Sequence, residues 1–490
     1  MMVKWVSFFL LMVITLPLGA QQPNSSVESP AAFLPSDTWL YIEGQDLSES
    51  FDRLAEIFST EGMVIPDPKD FGISPQPWQG DRVALAVFST IDEAPFDWDN
   101  FLPTGVLIFE VSDEAAADRF VTDLTDGWEA QVDGDARIWK SPFPLVTPAI
   151  LRMPAYLLIG EVRGIEYIAH LLSPSSDLLL LADNPIFNRF RKAIMPDPGL
   201  WVYTPDFVWA VGIEDTQLRV DFVRMGDAPE AVPAMLQTDA LAALPIGSLV
   251  VGAGMNADLI LGNWVASLED FAATLALLDP NLGSLSLQVE AFWRTAFGVD
   301  LREDFIPLFD GGYAFFISRA PAASDGVELD AGLILTPQDD TNVPFTLTRL
   351  TNRLIQNFGL SIELSGQLQY TLTDNTLPEI VYGFSDGRLY LSTNGGAEAI
   401  LRSLEGVNLS QDARWRRALA AAPPGAQSIF YINLREGIDL AEIALLQAGI
   451  DDPAISEFFA YLKQYESVVL FGRHDLDGLQ LTRFVLLLDR

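Results

Sequence analysis

The sequence predicts an α+β protein built as two tandem related domains, each a mainly antiparallel sheet with packed helices. Three observations carry this. Neighbouring apolar, β-branched or aromatic runs are joined by tight turns such as Ser385-Asp386-Gly387 and Asp477-Gly478, and such turns return the chain antiparallel. Amphipathic segments with apolar residues three, four and seven apart stand between those runs, so helices mix with strands. A proline-led phrase, LPSDTWLYIEGQDL at Leu34–Leu47, returns as Pro198-Gly199-LWVY, Pro245-Ile246-GSLVVG and Pro424-Gly425-AQSIFYI. Proline stops an arriving helix, and the apolar run after it reads as a strand.

At 490 residues, with 49% of them hydrophobic, the chain supports more than one sizeable core. Its first twenty residues carry one charge, Lys4, an apolar run from Trp5 to Leu18, and small residues at Gly19 and Ala20. This is the pattern of a secretory signal peptide cut after Ala20; an uncleaved N-terminal anchor is the alternative, and no later apolar run is long enough to span a bilayer. The expected location is periplasmic or extracellular. No cysteine is present, which excludes disulfides, thiol nucleophiles and thiolate metal sites. Sixty-seven acids against 29 bases give a net charge of −38, which argues against nucleic acid as a partner. Arginine far outnumbers lysine among those bases, so some arginines are expected to clamp the protein's own carboxylates.

After a polar leader over 21–33, the first unit spans 34–225. The opening phrase leads into a helix capped by Ser48 with Phe51, Leu54, Ile57 and Phe58 on one face. Strands follow at Gly80–Phe88 and Gly105–Val111. A helix capped by Ser112 or Asp113 then carries Ala116, Phe120 and Leu124 on its apolar face, and two short strands flank Asp133-Gly134-Asp135. A strand from Tyr156 runs into a helix through Ile165, Ile168 and Leu172. The stretch 226–237 reads as a linker, and the second unit spans 238–490. There Gly311-Gly312 stands where Gly80-Asp81 stood, and Gly396, Glu398, Ile400 and Leu404 fall on Gly164, Glu166, Ile168 and Leu172. Asn188-RFRKAI matches Ala413-RWRRAL. Two passes in one order imply duplication of a domain-sized unit.

The LP…LYI opening, the turns Trp78-Gln79-Gly80-Asp81 and Phe309-Asp310-Gly311-Gly312, the VSDEAAADRF helix and the late hairpin resemble the bacterial exported proteins of domain-of-unknown-function family 3352. The resemblance implies an exported, envelope-associated protein and brings no catalytic residues with it.

Several motifs imitate active sites. Gly252-Ala253-Gly254-Met255-Asn256-Ala257 fits G-x-G-x-x-A after a strand and before a helix, but its counterparts at Glu43–Asp46 and Asn433–Glu436 could not cradle a pyrophosphate, so no cofactor is expected. Ser385 sits in G-x-S-x-G, yet between two strands, where a hydrolase elbow would turn into a helix; its only candidate bases are His170 and His474. No metal motif is present: zinc signatures are absent, and the acidic turns at Asp133/Asp135 and Asp475/Asp477 lack calcium-loop spacing. The basic helices, with Arg189, Arg191 and Lys192 in one unit and Arg414, Arg416 and Arg417 in the other, are the candidate contacts for an anion or partner. Pairing with internal carboxylates is their competing role. The expected function is therefore non-catalytic binding or scaffolding of an unidentified envelope or extracellular component. The alternatives are an exported hydrolase acting between the units and an apolar-ligand carrier, the last to be marked by an apolar cavity of several hundred cubic ångströms inside one unit.

Overall fold

In a computed structural model the chain divides into two compact units, Met1–Met225 and Gly226–Arg490. The structure describes residues 29–46, 76–89, 103–133, 136–142, 147–173, 178–214, 216–226, 234–236, 241, 243–256, 258, 262, 265, 267, 285–320, 328–366, 368–373, 379–450 and 452–489. The signal-like segment, the helix expected after Leu47, and most of the linker and of the helix expected after Met255 lie outside these residues. No helix among the described residues is long and apolar enough to cross a membrane.

The first unit contains strands β1 (Leu40–Gln45), β2 (Gln79–Ser89), β3 (Pro103–Val111), β4 (Glu129–Asp133), β5 (Ala136–Lys140), β6 (Pro148–Arg152), β7 (Tyr156–Glu161), β8 (Leu200–Tyr203), β9 (Phe207–Glu214) and β10 (Gln217–Met225). They pair antiparallel throughout, in the order β10-β9-β8-β1-β2-β3-β7-β6-β5-β4. One face carries helices α2 (Val162–Leu171) and α3 (Pro185–Ala193). There Ile165, Ile168 and Phe190 are fully buried, each such side chain worth roughly 1.5–3 kcal/mol of burial. Against the other face lies α1 (Glu114–Leu124), capped by Asp113, whose carboxylate accepts the Ala116 N–H at 2.9 Å. Its buried residues are Ala117 and Val121, and Leu124 is exposed. The helix is thus rotated by about one residue from the expected Ala116/Phe120/Leu124 face, because the small Ala117 and Val121, four apart, allow the closest approach to the sheet.

The second unit contains β11 (Ser248–Met255), β12 (Gly312–Arg319), β13 (Leu329–Thr336), β14 (Ser361–Gly366), β15 (Gln369–Thr373), β16 (Ile380–Ser385), β17 (Arg388–Thr393), β18 (Ser428–Asn433), β19 (Tyr465–His474) and β20 (Leu479–Leu488). Their order is β20-β19-β18-β11-β12-β13-β17-β16-β15-β14, again antiparallel throughout. Strand for strand this is the order of the first unit. The helices are α4 (Leu285–Phe297), α5 (Val343–Phe358), α6 (Asn394–Leu404), α7 (Ala413–Ala420), α8 (Leu434–Gln447) and α9 (Pro453–Leu462). Ala397 and Ile400 of α6 and Trp415 and Ala418 of α7 close the main core with Phe316, Ile334, Tyr431, Val469 and Phe471. Helices α8 and α9 stand between β18 and β19, where the first unit turns within Thr204–Asp206.

Small details repeat with the topology. The Thr38 hydroxyl donates to the Pro35 carbonyl and Ser248 to Pro245, both at 2.7 Å. Asp46 and Asn256 end β1 and β11 with φ of 49° and 56°, a left-handed conformation that Asp and Asn tolerate. The ring of Phe190 lies edge-on to Tyr203, as that of Trp415 does to Tyr431. At Gly164 a Cβ would come within 2.7 Å of Thr104, and at Gly396 within 2.9 Å of the Ala331 carbonyl, so both helices sit too close to a strand for a side chain. One expected match is corrected: Asp46 N–H binds the Asp81 carbonyl and Asn256 N–H the Gly311 carbonyl, which aligns Asp81, and not Gly80, with Gly311. Chemistry has inverted at another point. Buried Asp221 on β10 accepts the Met195 N–H at 2.7 Å, whereas buried Arg483 on β20 donates to the Ala421 carbonyl at 3.3 Å. Each ties the end of the preceding basic helix to the last strand.

Candidate functional site

The most distinctive space lies in the second unit, on the sheet face away from α6 and α7. Alternation along β13 and β17 sends Ile334 and Tyr390 into the main core and Leu333, Leu335, Leu389 and Leu391 to the opposite face. Helix α5 lies over that face, starting with Pro344 in its first turn and ending at Gly359, whose φ of 65° suits a C-terminal glycine. Its Val343, Leu347, Leu350 and Leu354 point at the sheet but do not fill the gap. A cavity of about 400 Å³ remains, also lined by Phe305, Leu308 and Phe309 from the helical turns at Leu301–Phe309, and by Leu360, Leu372 and Ile380.

No charged residue lines this cavity among the described residues; its hydroxyls belong to Thr346 and Tyr382, the Tyr390 ring pointing to the opposite face. Tyr382 shares a 3.0 Å hydrogen bond with Thr351, and Tyr390 donates to Gln369 at 3.3 Å. Burial pushes both phenols above their ordinary pKa, so they stay neutral. Leu335 and Leu347 are buried, whereas Leu391 is 47% exposed, so the cavity reaches the surface beside Leu391.

The first unit treats the same place differently. The offset that maps Gly164 onto Gly396 is 232 (396 − 164), and with the strand pairings it maps Leu107, Phe109, Leu157 and Ile159 onto Leu333, Leu335, Leu389 and Leu391. There Trp78 packs 6.0 Å from Phe109 and 5.1 Å from Phe120, and rings occupy the space beneath α1.

That unit has a buried polar cluster instead. The Glu43 carboxylate accepts from Tyr41 at 2.6 Å and from Trp201 and Ser29 at 3.2 Å, and pairs with Arg82 at 3.0 Å. Burial and then Glu43 drive the Tyr41 phenol well above its ordinary pKa, burial lifts Tyr156 to about 12, and burial also raises Glu110 despite Arg82. The strand pairings put Ala253 and Ile429 at the corresponding positions of the second unit. Four donors converge on Glu43, so the cluster ties Ser29–Phe33, read above as polar leader, to β1, β2 and β8. Ala31 and Phe33 of that segment are buried.

The basic helices are divided in their contacts. Arg417 pairs with the fully buried carboxylate of Glu466, Arg414 lies 3.7 Å from Glu436, and Arg191 stacks 5.5 Å from the Trp201 ring centre and reaches the Met195 carbonyl. Arg189 is half-buried and has a partner of its own. Lys192 and Arg416 are exposed.

The imitated motifs resolve into structure. Gly252 and Gly254 lie inside β11, opposite Phe315 and Tyr313; a Cβ on either would strike the facing ring, so the glycines make room for aromatics and are not a turn into a helix. Ser385 pairs with Arg388 across a turn at Asp386 and Gly387, both at positive φ. His474 bonds Gln480 and Gln427 at the end of β19, six strands away from β16 in the sheet order, roughly 28 Å of sheet. Asp475 is held bidentately by Arg473 at 2.6 and 2.9 Å. No group of three or more His, Asp or Glu residues suited to a metal ion occurs among the described residues.

Sequence reasoning missed α5 altogether, although Val343, Leu347, Leu350 and Leu354 stand four, three and four apart. Pro344 and the threonines at 346, 348 and 351 are weak helix formers that dilute the signal.

No curated protein matches the chain. Among solved structures, crystal forms III and I of TP0453 are similar at 12% and 11% identity, covering 78% and 77% of this chain and 100% and 98% of those, with TM-scores of 0.22 and 0.21, too low to argue from. A family model described as Protein of unknown function (DUF3352) matches residues 204–460, from the late hairpin of the first unit through α9 and thus across the cavity. The chain belongs to the DUF3352 family.

Proposed function

We propose that this is an exported, non-catalytic binding protein of two related α+β units, and that the second unit takes an apolar ligand beneath α5. The observation that carries the reading is the uncharged cavity of about 400 Å³, within the roughly 300–1,000 Å³ typical of small-ligand sites. The first unit, with the same strand order, places Trp78, Phe109 and Phe120 at the corresponding place. Titrating the delipidated chain with 1-aminoanthracene, an uncharged fluorophore, tests the reading: saturable binding is expected, weakened by Leu347→Trp. Absence of saturable binding overturns it.

Duplication is supported by the shared strand order and by the paired Gly164/Gly396 approaches. Export rests on Lys4, the Trp5–Leu18 run and Ala20; Edman sequencing of protein recovered outside the cytoplasm should start at Gln21, and a start at Met1 would favour the anchor. Within the basic helices, a role in meeting an anionic partner falls to Lys192 and Arg416, which are exposed.

A further inference from the structure

The shape and chemistry of the cavity select among apolar ligands. Resting on the reading just given, we propose that the ligand is a single-chain amphiphile whose hydrocarbon tail enters past Leu391 while its head group stays in solvent and is not recognised.

Volume sets the number of tails. At the close packing of protein interiors a methylene group takes roughly 27 Å³, so about 400 Å³ admits a tail of about fifteen carbons, and not two. Chemistry sets the position of the head. An ionised carboxylate or phosphate inside would need a charged partner, and among the described residues none lines the space; of its two hydroxyls, that of Tyr382 is engaged by Thr351 and that of Thr346 carries no charge. Geometry sets the entrance. On one sheet face the side chains pass from Leu335, 4% exposed, to Leu391, 47% exposed, an apolar track from the deep end to the surface. A tail lying along it needs no polar contact until it leaves the protein.

Two consequences separate this from a general apolar site. Each methylene added to a short chain should tighten binding about fourfold, until the cavity is full at about fifteen carbons and the gain stops. Chains of equal length should bind alike whatever their head group.

The experiment is displacement of 1-aminoanthracene from the delipidated full chain by straight-chain alcohols from octanol to eicosanol, the matching fatty acids, palmitoyl-lysophosphatidylcholine, and dipalmitoyl-phosphatidylcholine supplied as short-lived monomer from a carrier. The expected result is a rise followed by a plateau, agreement within about threefold among hexadecanol, palmitate and the lysolipid, and displacement at least tenfold weaker by the two-chain lipid. Leu347→Phe should move the plateau to a shorter chain. Affinity that differs more than tenfold with head group at one chain length, or that shows no plateau, overturns the single-tail proposal while leaving an apolar site in place. Failure of the fluorophore itself to bind overturns the underlying reading instead.

Discussion

Phe109 of the first unit corresponds to Leu335 of the second, and Leu335→Phe tests whether the space beneath α5 is real. Phenylalanine exceeds leucine by roughly 25 Å³, so at about 24 cal/mol per Å³ of void removed the substitution should stabilise the delipidated protein by about 0.6 kcal/mol. Adding Leu333→Phe, which lines the same cavity one pair further along β13, should bring the gain to about 1.2 kcal/mol. Both residues face the cavity and not the main core, which takes Ile334 between them. In a fully packed site the same additions cost about 1–3 kcal/mol each, so the sign of the change decides the matter. Urea unfolding followed by tryptophan fluorescence gives the measurement, provided the slope with denaturant is unchanged. Bound lipid must be stripped first, since it would stabilise the wild type by mass action. The double variant should also bind 1-aminoanthracene at least tenfold more weakly. A loss of 1 kcal/mol or more, with fluorophore affinity intact, would refute the cavity and the function drawn from it.

Three further outcomes are expected. Gly164→Ala and Gly396→Ala should each destabilise by about 1–3 kcal/mol through the same helix-to-strand clash, read by urea midpoint; a neutral result at either site would separate the two units at that position. Arg417→Ala strands the buried Glu466 and should cost about 1–3 kcal/mol at neutral pH, whereas exposed Arg416→Ala should stay within about 0.5 kcal/mol. Burial already raises the pKa of Glu466, offset in part by Arg417, so the folded state holds its proton more tightly than the unfolded state and stability falls as pH rises through the folded value. The Arg417→Ala deficit should therefore shrink as pH is lowered toward about 4.3, and a deficit constant with pH would contradict the assignment. Asp221→Ala leaves the buried Met195 N–H without its acceptor and should cost about 1–3 kcal/mol in the same assay; an unchanged midpoint would show that water replaces the carboxylate.

Turn chemistry and periodicity made most of the fold legible. Asp386-Gly387 and Asp477-Gly478 announce hairpins, and the 232-residue offset through Gly164 and Gly396 agrees with the observed strand pairings of β7 and β17. Arginine excess foretold clamps on carboxylates, and Arg82, Arg417 and Arg473 serve as such. Register within a half-buried strand was harder, because a one-residue slip at Gly80 or Gly311 leaves the apolar composition of the run unchanged. The cavity was not legible at all. Leucine at 335 and phenylalanine at 109 are equally apolar, and only the distance between α5 and the sheet shows that the first leaves a void where the second fills it. Likewise Gly252 and Gly254 looked like a phosphate loop because their true reason, the rings of Phe315 and Tyr313, lies some sixty residues away in sequence.

The reversal between Asp221 and Arg483 bears on how a chain with two copies of one topology assembles. Each closing hairpin holds the same place in its unit's strand order, and during synthesis both are present on one polymer. Were they to exchange places, a carboxylate would face the carbonyl of Ala421 and a guanidinium the N–H of Met195, two buried like-polarity encounters. Opposite electrostatics at a single matched position is therefore expected to disfavour mispairing. A chimera with its two closing hairpins transposed should accumulate as insoluble material, and restoring only residues 221 and 483 should recover soluble protein.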